Sequence, residues 1–128
     1  MDILIIEDDP VDRKLVGVVL ATSGHVVRAR TSAEEAVEAI VSARPDLILL
    51  DLRLPGMDGL DLLRRLKSLP ESRDIPVVAV TAFPELFRKQ ALMDAGCDAF
   101  LVKPIDTRTF SQQMLEVAAR KSAPPALD

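Results

Sequence analysis

A chain of 128 residues and 14.0 kDa is the size of one domain, and its 48% of hydrophobic residues can build a core. Sixteen Lys and Arg against twenty Asp and Glu leave a formal charge of −4, and four Phe stand with neither Trp nor Tyr, which argues against a nucleic-acid partner needing a basic face and stacking aromatics. One cysteine cannot form an internal disulfide and no apolar run approaches the ~20 residues of a membrane span, so a reducing, cytoplasmic setting without a membrane partner is expected.

The first segment, Ile3-Leu4-Ile5-Ile6, is continuously apolar, as in a parallel strand covered on both faces. Asp9-Pro10 then supplies a cap and a first-turn proline for a helix over residues 10–22, which Gly24 closes. In Val26-Val27-Arg28-Ala29-Arg30 the two arginines share a parity, which predicts an edge strand with one solvated face. Ser32-Ala33-Glu34-Glu35 reads as a capping box opening a helix over 33–43, with Val37, Ile40 and Val41 on its apolar stripe. Leu47-Ile48-Leu49-Leu50 is a third strand, and residues 59–68 form a third helix. A fourth strand covers 76–80, around Val77-Val78-Ala79-Val80, and a helix over 85–95 follows, ended by Gly96. A fifth strand over 98–102 leads to a helix over 107–120, where Phe110, Met114, Val117 and Ala118 share a face.

Beyond Arg120 the periodicity is lost. Residues 121–128 are expected to be a disordered tail or the remnant of a linker, leaving one domain over 1–120. Five alternations of strand and helix predict an α/β fold of the (βα)5 type. Its parallel sheet carries helices on both faces, and ligands belong at the carboxyl ends of the central strands.

Function is expected where strand ends carry residues that packing would not choose. Glu7-Asp8-Asp9 follows the first strand, Asp51 the third, Thr81 the fourth and Lys103-Pro104 the fifth, and in this fold they converge on one crevice. Two carboxylates about 4 Å apart repel by ~4 kcal/mol at an effective dielectric of about 20. Lys103 is a single compensating charge for Glu7, Asp8 and Asp51. A hard divalent cation, best Mg2+, is the natural complement. Beside it a carboxylate oxygen could attack a phosphoryl group whose equatorial oxygens are held by the cation, Lys103 and the Thr81 hydroxyl.

These residues carry a resemblance. Ile5-Ile6-Glu7-Asp8-Asp9, Asp46 to Asp51 with Pro55-Gly56-Met57-Asp58-Gly59, Val80-Thr81-Ala82 and Val102-Lys103-Pro104 closely resemble the receiver domain of bacterial two-component response regulators, over residues 2 to 120. Ala79 to Phe83 and Gly96 to Phe100 look most like stand-alone receivers of the cell-cycle polarity type. The resemblance implies a flavodoxin-like (CheY-like) three-layer sandwich with strand order 2-1-3-4-5. It implies that Asp51 is the phosphoacceptor, charged by a sensor histidine kinase or a histidine phosphotransfer protein. Asp8 would ligate Mg2+ directly, Glu7 through water, and Arg53 through its backbone carbonyl. Thr81 would bond a phosphoryl oxygen after swinging inward and Lys103 would pair with another, the Lys103-Pro104 bond being cis. Phe100 sits at the aromatic switch position; lacking a phenol, it would act by packing alone. Arg53 and Phe83 hold the two positions that tune water access to the acyl phosphate, and here they imply slow self-hydrolysis. The output implied is a downstream protein bound through the fourth helix, fifth strand and fifth helix, by a monomer or weak dimer and not by an enzyme.

Plainer readings suit other residues. Asp9 serves as a helix cap; Met57 and Asp58-Gly59 shape a loop; His25 is a surface loop residue; Cys97 is a small buried group. Arg28, Arg30, Arg64 and Arg65 read as solvated faces. Val11, Leu15, Val16, Val18 and Val19 exceed what one buried helix face requires and would receive the kinase. The main alternative is a phosphatase or phosphotransferase with an aspartyl-phosphate intermediate, but the position two residues after Asp51, where such an enzyme needs an acid, is Arg53. A flavin carrier would need a Gly-rich phosphate loop and ring-stacking aromatics, neither of which the sequence contains.

Overall fold

Four apolar strands and one half-polar strand assemble into a single parallel sheet because each buried run needs cover on both faces. The computed structural model describes residues 1–54 and 57–122. Strands β1 (Asp2–Ile6), β2 (Val26–Arg30), β3 (Leu47–Asp51), β4 (Val77–Thr81) and β5 (Ala99–Val102) lie in the order β2-β1-β3-β4-β5. This is the flavodoxin-like order expected above. Helices α1 (Pro10–Thr22), α2 (Ala33–Ser42), α3 (Gly59–Ser68), α4 (Lys89–Asp94) and α5 (Phe110–Ser122) connect or follow them.

Pleat alternation sorts the core into two layers. Ile3, Ile5, Leu47, Leu49, Val78 and Val80 pack with Val16 and Leu20 of α1 and with Phe110, Met114 and Val117 of α5. The intervening Leu4, Ile6, Ile48, Leu50, Val77 and Ala79 pack with α2, α3 and Leu92 of α4. The register keeps partners on a common side: Leu49 lies opposite Val78, Leu50 opposite Ala79 and Asp51 opposite Val80. Asp51 therefore points into the α1/α5 layer. Thr81, one residue past Val80, belongs to the other.

Local signals act where the sequence places them. Asp9 caps α1, its Oδ1 accepting from the backbone of Val11 (2.8 Å) and Asp12 (3.3 Å). The Ser32 hydroxyl accepts from Glu35 N–H at 3.3 Å, while the Glu35 carboxylate accepts from the Ser32 and Thr31 hydroxyls instead of closing the reciprocal backbone bond. Gly24 and Gly96 adopt φ of 90° and 103°, the left-handed caps that a side chain would strain.

Four expectations need correction. The helix anticipated over 85–95 is a single 3-10 turn, Pro84–Leu86, followed by the six-residue α4, because Phe87 and Arg88 take extended backbone and Phe87 packs against the core. The last helix begins at Phe110, since Asp106 turns the chain first by accepting from Arg108 N–H at 2.9 Å, and it continues to Ser122, past the anticipated boundary at 120. Residues 123–128 of the expected tail lie outside the described residues, as do Pro55 and Gly56 of the loop motif. Arg28 is no solvated side chain: its guanidinium donates to the Ala39 and Ala43 carbonyls at the end of α2 (3.0 and 2.7 Å) and pairs with Asp2. His25 is only half-exposed, with Nδ1 3.0 Å from the Met1 amino group.

After β3 the chain forms a two-residue antiparallel ladder, Arg53–Leu54 against Met57–Asp58. Gly59 then donates its N–H to Leu52 O at 3.0 Å. A Cβ on Gly59 would lie 2.3 Å from Leu52 Cα and 2.5 Å from its carbonyl oxygen, both backbone atoms. Gly59→Ala is therefore expected to cost about 2–3 kcal/mol of folding stability, read as a lower urea midpoint at unchanged m-value. A midpoint equal to the parent's would show that the loop yields freely.

Candidate functional site

Strand ends and one helix start bring the polar residues together. Glu7 continues the β1 ladder through Glu7 N–H to Arg30 O, and Lys103 continues β5 through Lys103 N–H to Thr81 O. Because alternation persists past the last apolar residue, Glu7, Asp51 and Lys103 all face the α1/α5 side. The Lys103–Pro104 peptide is cis. The Lys103 ammonium lies 2.5 Å from Glu7 Oε1, 2.9 Å from Asp12 Oδ2 and 3.2 Å from Asp51 Oδ2. Glu7, Asp8 and Asp51 each offer a carboxylate oxygen, all within 4.8 Å of one another.

The environments of these carboxylates differ. Glu7 is 4% exposed and Asp51 8%, while Asp8 is open to solvent. Asp51 Oδ1 accepts from Arg53 N–H at 2.9 Å, leaving Oδ2 toward Lys103. Arg13 donates to the carbonyls of Glu7 (3.2 Å) and Asp8 (3.3 Å), tying down the loop that carries both acids. Beneath the ammonium lies an apolar-walled cavity of about 60 Å³, lined by Ile5, Leu15, Val16, Leu49, Val80 and Ile105. On its other side the cluster faces an open cleft that Asp8, Asp12, Asp51, Arg53, Phe83 and Lys103 border.

Burial, and then the adjacent Asp51 carboxylate, push the Glu7 carboxyl up from 4.5 to about 8, although Lys103 pulls the other way. Lys103 itself is disfavoured by burial, yet Glu7, Asp12 and Asp51 outweigh this and hold its ammonium above the ordinary lysine value. The cluster is short of positive charge. Hard oxygen donors with unspent negative charge suit a divalent cation such as Mg2+, which would draw the proton off Glu7.

The remaining expected residues stand around this centre. Thr81 is fully buried, and its hydroxyl oxygen accepts from Phe83 N–H at 3.0 Å. Phe100 lies beside Ala79 in the register and packs on the α2–α4 layer, the side assigned to Thr81. The Arg53 guanidinium sits 4.6 Å from the Phe83 ring centroid, a cation–π contact at the rim of the cleft. Two participants escaped the sequence reading. Asp12 looks like an ordinary first-turn helix acid and Arg13 like a surface cation; nothing local points either across the chain.

The sequence profile of the response regulator receiver domain matches residues 3–115. The chain belongs to that family. This receiver is 36% identical over 108 residues to the polar-differentiation response regulator DivK of Brucella anthropi, covering 84% of this chain and 88% of the relative. Its fold superposes on a response regulator from Chloroflexus aurantiacus with a TM-score of 0.86 at 31% identity, over 93% of this chain and 98% of that one. It also superposes on the receiver domain of a sensor histidine kinase from Pseudomonas aeruginosa, which has a magnesium ion in its active-site cleft, with a TM-score of 0.83 at 27% identity, over 92% of this chain and 97% of that one. No helix among the receiver's described residues is long and apolar enough to cross a membrane.

Proposed function

We propose that this receiver accepts a phosphoryl group on Asp51 from a histidine of a sensor kinase or phosphotransfer protein, in a Mg2+-dependent reaction, and signals by protein binding. The observation that carries the reading is the convergence of Glu7, Asp8 and Asp51 at two central strand ends with Lys103 bonded to Asp51. Glu7, Asp8 and Asp51, with the Arg53 carbonyl, would hold the cation. When bound, it supplies positive charge for the phosphoryl oxygens. An Asp51 carboxylate oxygen forms the new O–P bond as the donor's N–P bond breaks, and the electron pair leaves on the imidazole nitrogen. Arg53 N–H fixes the carboxylate plane, and Lys103 balances charge on the transferred group. Incubating the protein with acetyl phosphate and Mg2+ should add one phosphoryl group by intact mass; no gain, or the same gain with Mg2+ chelated, defeats the reading.

The switch follows from the two layers. Thr81 belongs to the side opposite Asp51, so bonding a phosphoryl oxygen there requires its hydroxyl to leave Phe83 N–H and turn across the strand end. That motion vacates space beside Phe100, whose ring fills it by packing, and the face built from α4, β5 and α5 changes. This face carries exposed Met93, Val102 and Leu115, apolar surface suited to a protein target. On the kinase-facing helix Val11, Leu15 and Val18 are exposed, whereas Val16 is buried in the core and Val19 is half-buried against it. A cytoplasmic signalling domain that turns over no substrate fits these features better than a phosphatase, since Arg53 stands where a general acid would be needed.

The Arg53–Phe83 stack would roof the acyl phosphate against water. Replacing both by small polar residues is expected to shorten the phosphorylated lifetime by about tenfold, on the order of 1.4 kcal/mol of barrier. The decay of phosphorylated protein after donor removal, followed by mass, reads this directly. An unchanged half-life would rule out shielding.

A further inference from the structure

An ammonium has three N–H donors, and those of Lys103 are matched by three carboxylates: Glu7, Asp12 and Asp51. No donor is spare for a phosphoryl oxygen. We propose that Asp12 is a positioning residue that holds Lys103 in the resting state and competes with the incoming phosphoryl group for its ammonium. The proposal rests on the receiver reading of Asp51.

Asp12 is the partner that must let go. Glu7 is almost wholly buried, with 5% of its side chain exposed, so water cannot replace a lost hydrogen bond to Lys103. Asp51 bears the new group. Asp12 has 36% of its side chain exposed, so water replaces the lost bond at little cost. Nor does α1 require the carboxylate, because Asp9 already serves as its cap. The Asp12–Lys103 bond joins residues 91 apart in sequence, linking the first turn of α1 to the loop after β5. Loading of Asp51 therefore unlatches α1 from that loop, and the carboxylate at position 12 raises the cost of the loaded state.

The test uses beryllofluoride as a non-covalent phosphoryl mimic, with Mg2+, followed by 19F NMR or calorimetry because the chain has no Trp or Tyr. Asp12→Asn, with Asp12→Ser as a second variant, is expected to bind beryllofluoride about tenfold more tightly. Both should bind Mg2+ alone no more tightly than the parent, since an acid has been removed. Asp9→Asn makes the same charge change at the cleft without touching Lys103, and should shift beryllofluoride affinity by less than about twofold. Beryllofluoride binding that is unchanged or weaker in both position-12 variants overturns the proposal, as does an equal gain in Asp9→Asn, which would mark a general charge effect. A parent protein that binds neither Mg2+ nor beryllofluoride overturns the receiver reading beneath it.

Discussion

Asp51→Ala is expected to take up no phosphoryl group from acetyl phosphate under conditions that load the parent fully. On the proposed reading the carboxylate would be both the attacking group and one of the cation's holders, so one substitution would remove the bond-forming atom and weaken the charge that steadies it. Other acids border the cleft, but Glu7 is held in a 2.5 Å contact with Lys103 and Asp9 is bonded to the α1 backbone. Neither replaces an oxygen positioned by Arg53 N–H. Asp51→Asn, which preserves shape and that hydrogen bond, should fail equally, because an amide oxygen is too poor a nucleophile. Intact mass settles the loss, and peptide mapping of the loaded parent should place the group on the segment containing Asp51. Continued labelling of the alanine variant would move the acceptor elsewhere and end the assignment.

The second large effect concerns pH. Folded, Glu7 keeps its proton to about 8; unfolded, it ionises near 4.5. Between those values the folded state binds more protons than the unfolded state, so this group's contribution to stability falls as pH rises and is fully lost above about 8. The difference corresponds to on the order of 5 kcal/mol. His25 acts with the opposite sign, since burial and then the Met1 ammonium lower its pKa, and its contribution is lost as pH falls. Comparison with Glu7→Gln cancels that background. In EDTA, urea unfolding followed by far-UV circular dichroism should show Glu7→Gln gaining on the parent by several kcal/mol between pH 5 and pH 9. Mg2+ should reverse the trend for the parent, stabilising it more at pH 8.5 than at pH 6, because binding displaces the Glu7 proton. A parent-to-variant difference that stays flat with pH would mean Glu7 ionises normally in the fold.

Much of this architecture is legible from local pattern. Unbroken apolar runs announce buried parallel strands, Asp9-Pro10 and Ser32 announce helix starts, and the left-handed glycines announce their ends. Chain order alone puts Glu7, Asp51, Thr81 and Lys103 at strand termini, because side-chain polarity changes there abruptly. Legibility fails where long-range packing competes with periodicity. Phe87 and Arg88 break the anticipated fourth helix by taking extended backbone, with the half-buried Phe87 packed against the core. Arg28 shares its parity with Arg30, yet its reach to the end of α2 leaves only 21% of its side chain exposed.

What the amino-acid order determined by itself is therefore the class of fold and the set of polar residues delivered to one edge of the sheet, since both follow from periodicity and strand termini. The tertiary structure alone decided how those residues share charge. Only in three dimensions does Asp12 meet Lys103, Arg13 brace the loop of Glu7 and Asp8, and the Arg53 guanidinium lie over Phe83. It also separates Asp51 from Thr81 onto opposite faces. Periodicity is a property of neighbours along the chain, whereas ion pairing depends on distance in space, and no local pattern encodes a contact between residues 91 apart.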